Sequence, residues 1–155
     1  MNYWLFKSEP TCFGIDDLAA CSNHTSPWDG IRNYQARNML RDNMKVGDRG
    51  FFYHSSCKEP GIVGTVEIVS AAYPDPTQFD PKSDHFDPKS TRANPRWVMV
   101  DVKLIKKFDQ ILSLAALREN PLLSDLIILR KGNRLSITPV SAKDYEVITI
   151  CSEAH

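Results

Sequence analysis

Five prolines between residues 74 and 95 (Pro74, Pro76, Pro81, Pro88 and Pro95) split the chain into two blocks of regular structure. Proline removes a backbone donor, fixes its own φ and pushes the preceding residue out of the helical region. No helix or central strand runs through a stretch punctuated in this way. The segment shows neither a helical nor a strand apolar period, so it reads as one long loop. Within it, Phe79-Asp80-Pro81-Lys82-Ser83 and Phe86-Asp87-Pro88-Lys89-Ser90 repeat one motif. Two units are too few for a repeat architecture. Their phenylalanines argue for a packed loop, and loops this long in compact domains are usually functional or disordered.

The first block opens with an aromatic strand over residues 2–7. Tyr3, Leu5 and Lys7 face one way, and Trp4, Phe6 and Ser8 the other. Glu9-Pro10 ends it, which leaves Lys7, Ser8 and Glu9 at a strand end. Residues 15–20 read as a short helix with acids in its first turn. Residues 49–55 and 62–73 read as strands, with Gly64 marking a bulge or a close backbone approach. In the second block, residues 96–107 form a strand and Ser113 caps a helix over 114–119. Residues 127–129 and 135–140 read as a hairpin around Arg130-Lys131-Gly132-Asn133. Ser141 to Asp144 has the pattern of a capping box for a last helix. Strands outnumber helices and no βαβ unit repeats. The expectation is therefore α+β, with mixed, mostly antiparallel strands and several short peripheral helices.

One stretch changes character as it runs: Trp28-Asp29-Gly30-Ile31-Arg32-Asn33-Tyr34-Gln35-Ala36-Arg37-Asn38-Met39-Leu40-Arg41. Asp29-Gly30 is a turn dipeptide, so Trp28 is not helical. From about Asn33, Ala36, Met39, Leu40 and Met44 share one helical face, and Tyr34, Arg37 and Arg41 form a column on its flank. Asn33, or Asp29 with Arg32, supplies the cap, and Gly47 suits a left-handed C-cap. A flat tryptophan beside a helix start, with Asp29, Arg32 and Asn33 nearby, is equipment for holding a planar polar heterocycle. The alternative places Trp28 in the core and Arg32 on the surface.

The 155 residues suffice for one domain, taken as 1–155. With 19 basic and 19 acidic residues the net charge is zero, which argues against tight non-specific grip on nucleic acid. Cys12, Cys21, Cys57 and Cys151 are scattered, so no zinc site is expected and a reducing cytoplasm fits. No apolar run has the length of a membrane span, and no targeting segment is read at the start. No P-loop, dinucleotide fingerprint, zinc-protease, hydrolase-elbow or zinc-deaminase pattern is present. No cofactor or metal is expected. An enzyme acting on a nucleoside-like metabolite through Lys7, Glu9 and a hydroxyl stays open as the alternative, as does a protein-interaction module.

The signature stretch resembles that of the EVE domain family, in the PUA-like group of folds. Other segments match in the same order: Tyr3-Trp4-Leu5-Phe6-Lys7-Ser8-Glu9-Pro10, Val46-Gly47-Asp48, Phe52-Tyr53-His54-Ser55, Pro60-Gly61-Ile62-Val63-Gly64, Ala72-Tyr73-Pro74-Asp75, Asp87-Pro88-Lys89-Ser90 and Asn94-Pro95-Arg96-Trp97. The resemblance implies a PUA-like β-barrel similar to readers of modified bases in DNA or RNA. Such a reader unstacks one base and holds it between aromatic groups. On that expectation Trp28 is the stacking face and Tyr53 and Trp97 are walls. Lys7, Ser8, Asp29, Arg32, Asn33, His54 and Ser55 surround the base edge. Arg37, Arg41, Lys89 and Arg96, with Lys82 and Arg92, form a small basic edge for the backbone, and the long loop is a partial lid.

Overall fold

The computed structural model describes residues 1–153; Ala154 and His155, the end of the expected 1–155 span, lie outside the described residues. The elements in chain order are β1 (Tyr3–Ser8), α1 (Pro10–Phe13), α2 (Ile15–Ala20), β2 (Thr25–Pro27) and α3 (Tyr34–Asn38). They continue with β3 (Arg49–His54), β4 (Gly61–Ile68), β5 (Tyr73–Pro74), β6 (Val98–Met99), β7 (Asp101–Ser113), α4 (Leu114–Glu119), β8 (Ile137–Val140) and α5 (Ala142–Glu153). Six strands form one curled sheet in the order β2-β7-β4-β3-β1-β8, a half-barrel, while β5 and β6 pair separately. The β1–β3 pair is parallel, and every other pairing is antiparallel. The fold class is the α+β one expected.

Alternation along the central strands sorts two cores onto the two sheet faces. Trp4, Phe6 and Phe52 pack with Trp28, Ile31, Ala36 and Leu40. Leu5, Phe51 and Tyr53 pack with Leu117, Leu123, Leu126 and Ile148. The sheet bends where β4 slips register against β7, on either side of Gly64. A Cβ on Gly64 would collide with the Lys106 carbonyl oxygen and the Ile15 side chain, so both sequence readings of this glycine apply at once.

Four expectations are corrected. The signature helix does not continue as α-helix to Gly47: after Asn38 it widens into a π-helical turn (Met39–Asn43) that closes when Met44 N–H donates to the Met39 carbonyl at 2.9 Å. Gly47 does have φ +95, but in the turn beyond the helix. The proposed hairpin is absent because Ile127–Leu129 forms a 3-10 turn, and β8 pairs with β1 instead. Pro139 fits there because β8 is an edge strand, where a missing donor faces no partner. The strand read over 62–73 stops at Ile68, and the strand read over 96–107 is broken after Met99 and then runs on to Ser113.

Gly64→Ala should lower stability by about 1–3 kcal/mol, because the clashing atom is a backbone carbonyl that cannot rotate away. Urea unfolding of the variant beside the parent measures the loss.

Candidate functional site

A cavity of about 560 Å³ opens at one end of the sheet. Lys7 and Ser8 reach it from the end of β1, Cys12 and Phe13 from α1, and Ser26 and Pro27 from β2. Trp28, Asp29, Gly30 and Ile31 form its floor and one wall, with Ser136 ahead of β8 and His85 from the long loop. Both edges of the curled sheet thus meet around it. Ser136 is held there because its carbonyl accepts the Lys7 N–H at 2.8 Å.

Trp28 is 7% exposed and belongs to the core, yet it also lines the cavity. Its backbone N–H donates to the Val100 carbonyl at 2.8 Å. Phe6, Phe52 and Phe13 meet its ring edge-on at centroid distances of 5.2, 5.3 and 6.3 Å. The two readings of Trp28 were therefore not exclusive: it is a core residue with a cavity beside it.

After Trp28 the chain turns through Gly30 at φ +80. A Cβ there would lie 2.7 Å from His85 Cε1, so only glycine admits the His85 ring. The Gly30 N–H donates to Asp75 Oδ2 at 2.8 Å. Arg32 donates from Nη1 to the same oxygen at 3.1 Å and from Nη2 to Thr77 Oγ1 at 3.0 Å. Its Nε donates to the His85 carbonyl at 2.9 Å, and the guanidinium lies 5.5 Å over the Trp97 ring. Asp75 is 0% exposed. Burial alone would raise its carboxyl; hydrogen bonds from the Thr77 hydroxyl, the Gly30 and Thr77 amides and Arg32 hold it below the usual carboxylate range. Arg32 is thus a rivet between the signature stretch and the long loop.

The long loop is ordered by one buried amide. Gln78 Nε2 donates to the carbonyls of Asp75 and Trp97 at 2.7 and 2.8 Å, and Oε1 accepts from Ser90 Oγ and Trp97 N–H at 2.6 and 3.0 Å. The duplicated motif makes the same turn twice: Asp80 Oδ1 accepts from Lys82 N–H, and Asp87 Oδ1 from Lys89 N–H, each at 2.9 Å.

Of the expected ligand residues, Lys7, Ser8, Trp28 and Asp29 line the cavity. Ser8 also donates its hydroxyl proton to the Phe13 carbonyl at 2.6 Å. The others stand behind it or away from it. Asn33 caps α3, its Oδ1 accepting from Ala36 N–H at 3.0 Å. Trp97 packs on Tyr34 at 4.7 Å and donates Nε1–H to Asp87 at 2.8 Å. His54 Nε2 accepts from Ile15 N–H at 3.1 Å, which ties β3 to the start of α2. Ser55 N–H donates to the Ser8 carbonyl at 2.9 Å. Tyr53 lies in the opposite core, because it follows Phe52 on the strand and takes the other face.

Sequence reasoning did not place Cys12, Phe13, His85 or Ser136 at the cavity, and it gave Glu9 a part only in the enzyme alternative. Pro10 signals a helix start and hence α1, but His85 and Ser136 arrive through tertiary pairing that no local pattern announces. Lys7, Glu9 and Asp29 make no ion pair among the described residues. Of the expected basic edge, Arg37 donates to the Arg96 carbonyl at 2.8 Å and lies over the Tyr34 ring. Arg41 pairs with Asp42 at 2.8 Å, Arg96 is 3.9 Å from Asp87, and Arg92 lies over Phe79. Lys82 and Lys89 are exposed.

Residues 2–151 match the family model described as the EVE domain. The chain belongs to the EVE domain family. Thymocyte nuclear protein 1 of Danio rerio is 46% identical to it over 162 residues, spanning 94% of this chain and 69% of that protein. The Homo sapiens protein of the same name is 42% identical over 170 residues, spanning 98% and 74%. Among solved structures, human THYN1 protein in complex with 5-methylcytosine containing DNA is similar to this EVE domain with a TM-score of 0.92 and 41% identity, covering 99% of this chain and 98% of that one. A Pseudomonas syringae protein gives a TM-score of 0.91 and 46% identity, covering 97% and 99%.

Two measurements check the frame around the cavity. Arg32→Met should cost about 2–3 kcal/mol, since it strips a buried carboxylate of its cation and two elements of their link. Burial holds the His54 imidazole below its ordinary value of 6.5, outweighing the nearby carboxylates of Asp16 and Asp17, while Lys107 adds to the lowering. Unfolding releases His54 to bind a proton that the folded state refuses. Its contribution is complete above the unfolded value of 6.5 and drains away as pH falls below it. His54→Gln should remove that part of the acid sensitivity, read as the difference between the two stability–pH curves.

Proposed function

We propose that this EVE domain is a binding module for DNA carrying a modified cytosine, and that the modified base leaves the helix and enters the cavity beside Trp28. The observation that carries the reading is the cavity itself. Its volume of about 560 Å³ lies in the range of small-ligand sites, roughly 300–1,000 Å³. Trp28 and Phe13 supply an aromatic floor, and Lys7, Glu9 and Asp29 line the same space without an ion-pair partner among the described residues. A cytosine needs an acceptor for its N4 amine and a donor for its O2 carbonyl; Asp29 or Glu9 offers the first and Lys7 the second. Phe13, Ile31 and Pro27 offer apolar contact for a methyl group. The human relative's complex with 5-methylcytosine containing DNA supports the choice of base and of DNA.

In this reading Arg32, Asn33, His54, Ser55 and Trp97 act by holding the cavity walls. Arg37, Arg41 and Arg96 already have internal partners, so they and Lys89 make only a minor backbone edge. The protein binds without turning over its ligand.

The test is equilibrium binding of duplexes identical except for cytosine, 5-methylcytosine or 5-hydroxymethylcytosine, with the matching RNA as a further arm and the recovered oligonucleotide checked for chemical change. The modified DNA should bind tighter than the plain. His85→Ala, at an exposed cavity position, should weaken that preference without unfolding the protein. If the base stacks on the aromatic floor, Trp28→Leu should cost about 1–3 kcal/mol of binding. Equal affinity for all duplexes would sink the proposal, and a changed base would make the protein an enzyme.

A further inference from the structure

The loop over residues 130–135 holds more hydrogen-bond donors than the rest of the protein uses. Arg130, Lys131 and Arg134 fall within five residues and are all exposed. None has an ion-pair partner among the described residues, whereas Arg32, Arg41, Arg49, Arg96 and Lys107 each have one. Between them stands Asn133. Its Oδ1 accepts from Leu135 N–H at 3.4 Å, which sets the orientation of the amide. Its Nδ2 is buried and has no acceptor among the described residues. An amide donor left in this way is costly, so the loop is complementary to a ligand made of acceptors. Arg130, Lys131 and Asn133 border a crevice of about 370 Å³ that also touches Gln35 and Met39 of the signature stretch.

The loop leads straight into the rim of the cavity. Arg134 is two residues from Ser136, a separation of at most about 7 Å of extended chain. Ser136 lines the cavity and is bonded to Lys7. We propose that this loop grips the phosphodiester backbone next to the base held in the cavity, an assignment that rests on the reading above. With zero net charge overall, the grip must come from cations not already spent, and these three are clustered and continuous with the site.

The test replaces Arg130, Lys131 and Arg134 together by glutamine, with thermal unfolding to check the fold and Arg134→Gln alone as a milder variant. Binding of plain and 5-methylcytosine duplexes is followed as salt rises from about 50 to 200 mM. The triple variant should bind both duplexes more weakly by the same factor. Its slope of log affinity against log salt should shrink by about 0.9 for each phosphate lost, about 2 to 3 in all, with the single variant accounting for about one of these. The preference for the modified base should be unchanged, since phosphate contacts position and base contacts specify. A parent protein without base preference whose slope still responds to the loop would defeat the base reading and leave the loop as a phosphate grip. An unchanged slope in both variants overturns the loop assignment, as does polyglutamate competing as well as plain duplex at equal charge. Binding of inorganic phosphate to the loop, with the duplex slope unaffected by the substitutions, would make it a free-anion site and overturn the assignment as well.

Discussion

The carboxylate of Asp75 is the point on which the site depends. It is shut away from water at the exit of β5, where an uncompensated charge would be prohibitive. The compensation comes from three directions: the Gly30 amide from the signature turn, the Arg32 guanidinium from the same stretch, and the amide and hydroxyl of Thr77. Each donor gives Asp75 a reason to stay ionised, and Asp75 gives each donor a fixed direction. Three residues later Gln78 does the same with a neutral amide, saturating both its oxygen and its nitrogen. Fully satisfied buried polar networks rigidify what they join. Here they turn a proline-punctuated segment into a wall, and they set His85 over Gly30 at the cavity mouth.

The sheet explains why the cavity lies at this end. In the parallel pair, Ser8 stands opposite His54, so both chains leave the sheet on the same side. The segment after β1 must then fold back as α1 and α2 across that end, and His54 receives the first amide of α2. The bends on either side of Gly64 curl the sheet until β2 on one edge and the approach to β8 on the other border the same space. The cavity is the gap that a half-barrel leaves unclosed, narrowed by the loop between β5 and β6.

Local signals in the sequence were legible wherever a residue satisfied its immediate neighbours. Asn33, Ser113 and Ser141 each accept the expected helix-start amide. The alternation read in residues 2–7 holds, and pairing with β3 puts Leu5 with Phe51 and Tyr53 on one face and Trp4 and Phe6 with Phe52 on the other. Tyr53 and His54 were both expected at the site, but as strand neighbours they take opposite faces, Tyr53 in one core and His54 against Phe52. The hairpin reading failed because β8 answers to β1, far away in the chain, rather than to the residues just before it. The long loop was visible as a packed loop, but the polar network that orders it was not. Asp75 and Gln78 look like ordinary loop polars until their partners, dozens of residues distant for Gly30 and Arg32, are brought alongside.

A division of labour among the residues of the signature stretch and those around the cavity follows from where their bonds are spent. Gly30, Arg32, Asn33 and Trp97 direct their polar groups at Asp75, Ala36 and Asp87, all inside the protein. Arg32 resists substitution because its loss leaves the buried Asp75 carboxylate without its cation, and Gly30 because a side chain there would meet the His85 ring. Lys7, Glu9, Asp29 and His85 instead meet the cavity, and their charged or polar ends have capacity left over. In the proposed reading, a change among these four alters which base edge is accepted without disturbing the frame. The stretch that makes the family recognisable is then mostly scaffold, and of the four residues left facing the cavity only His85 lies outside the segments that carry the resemblance.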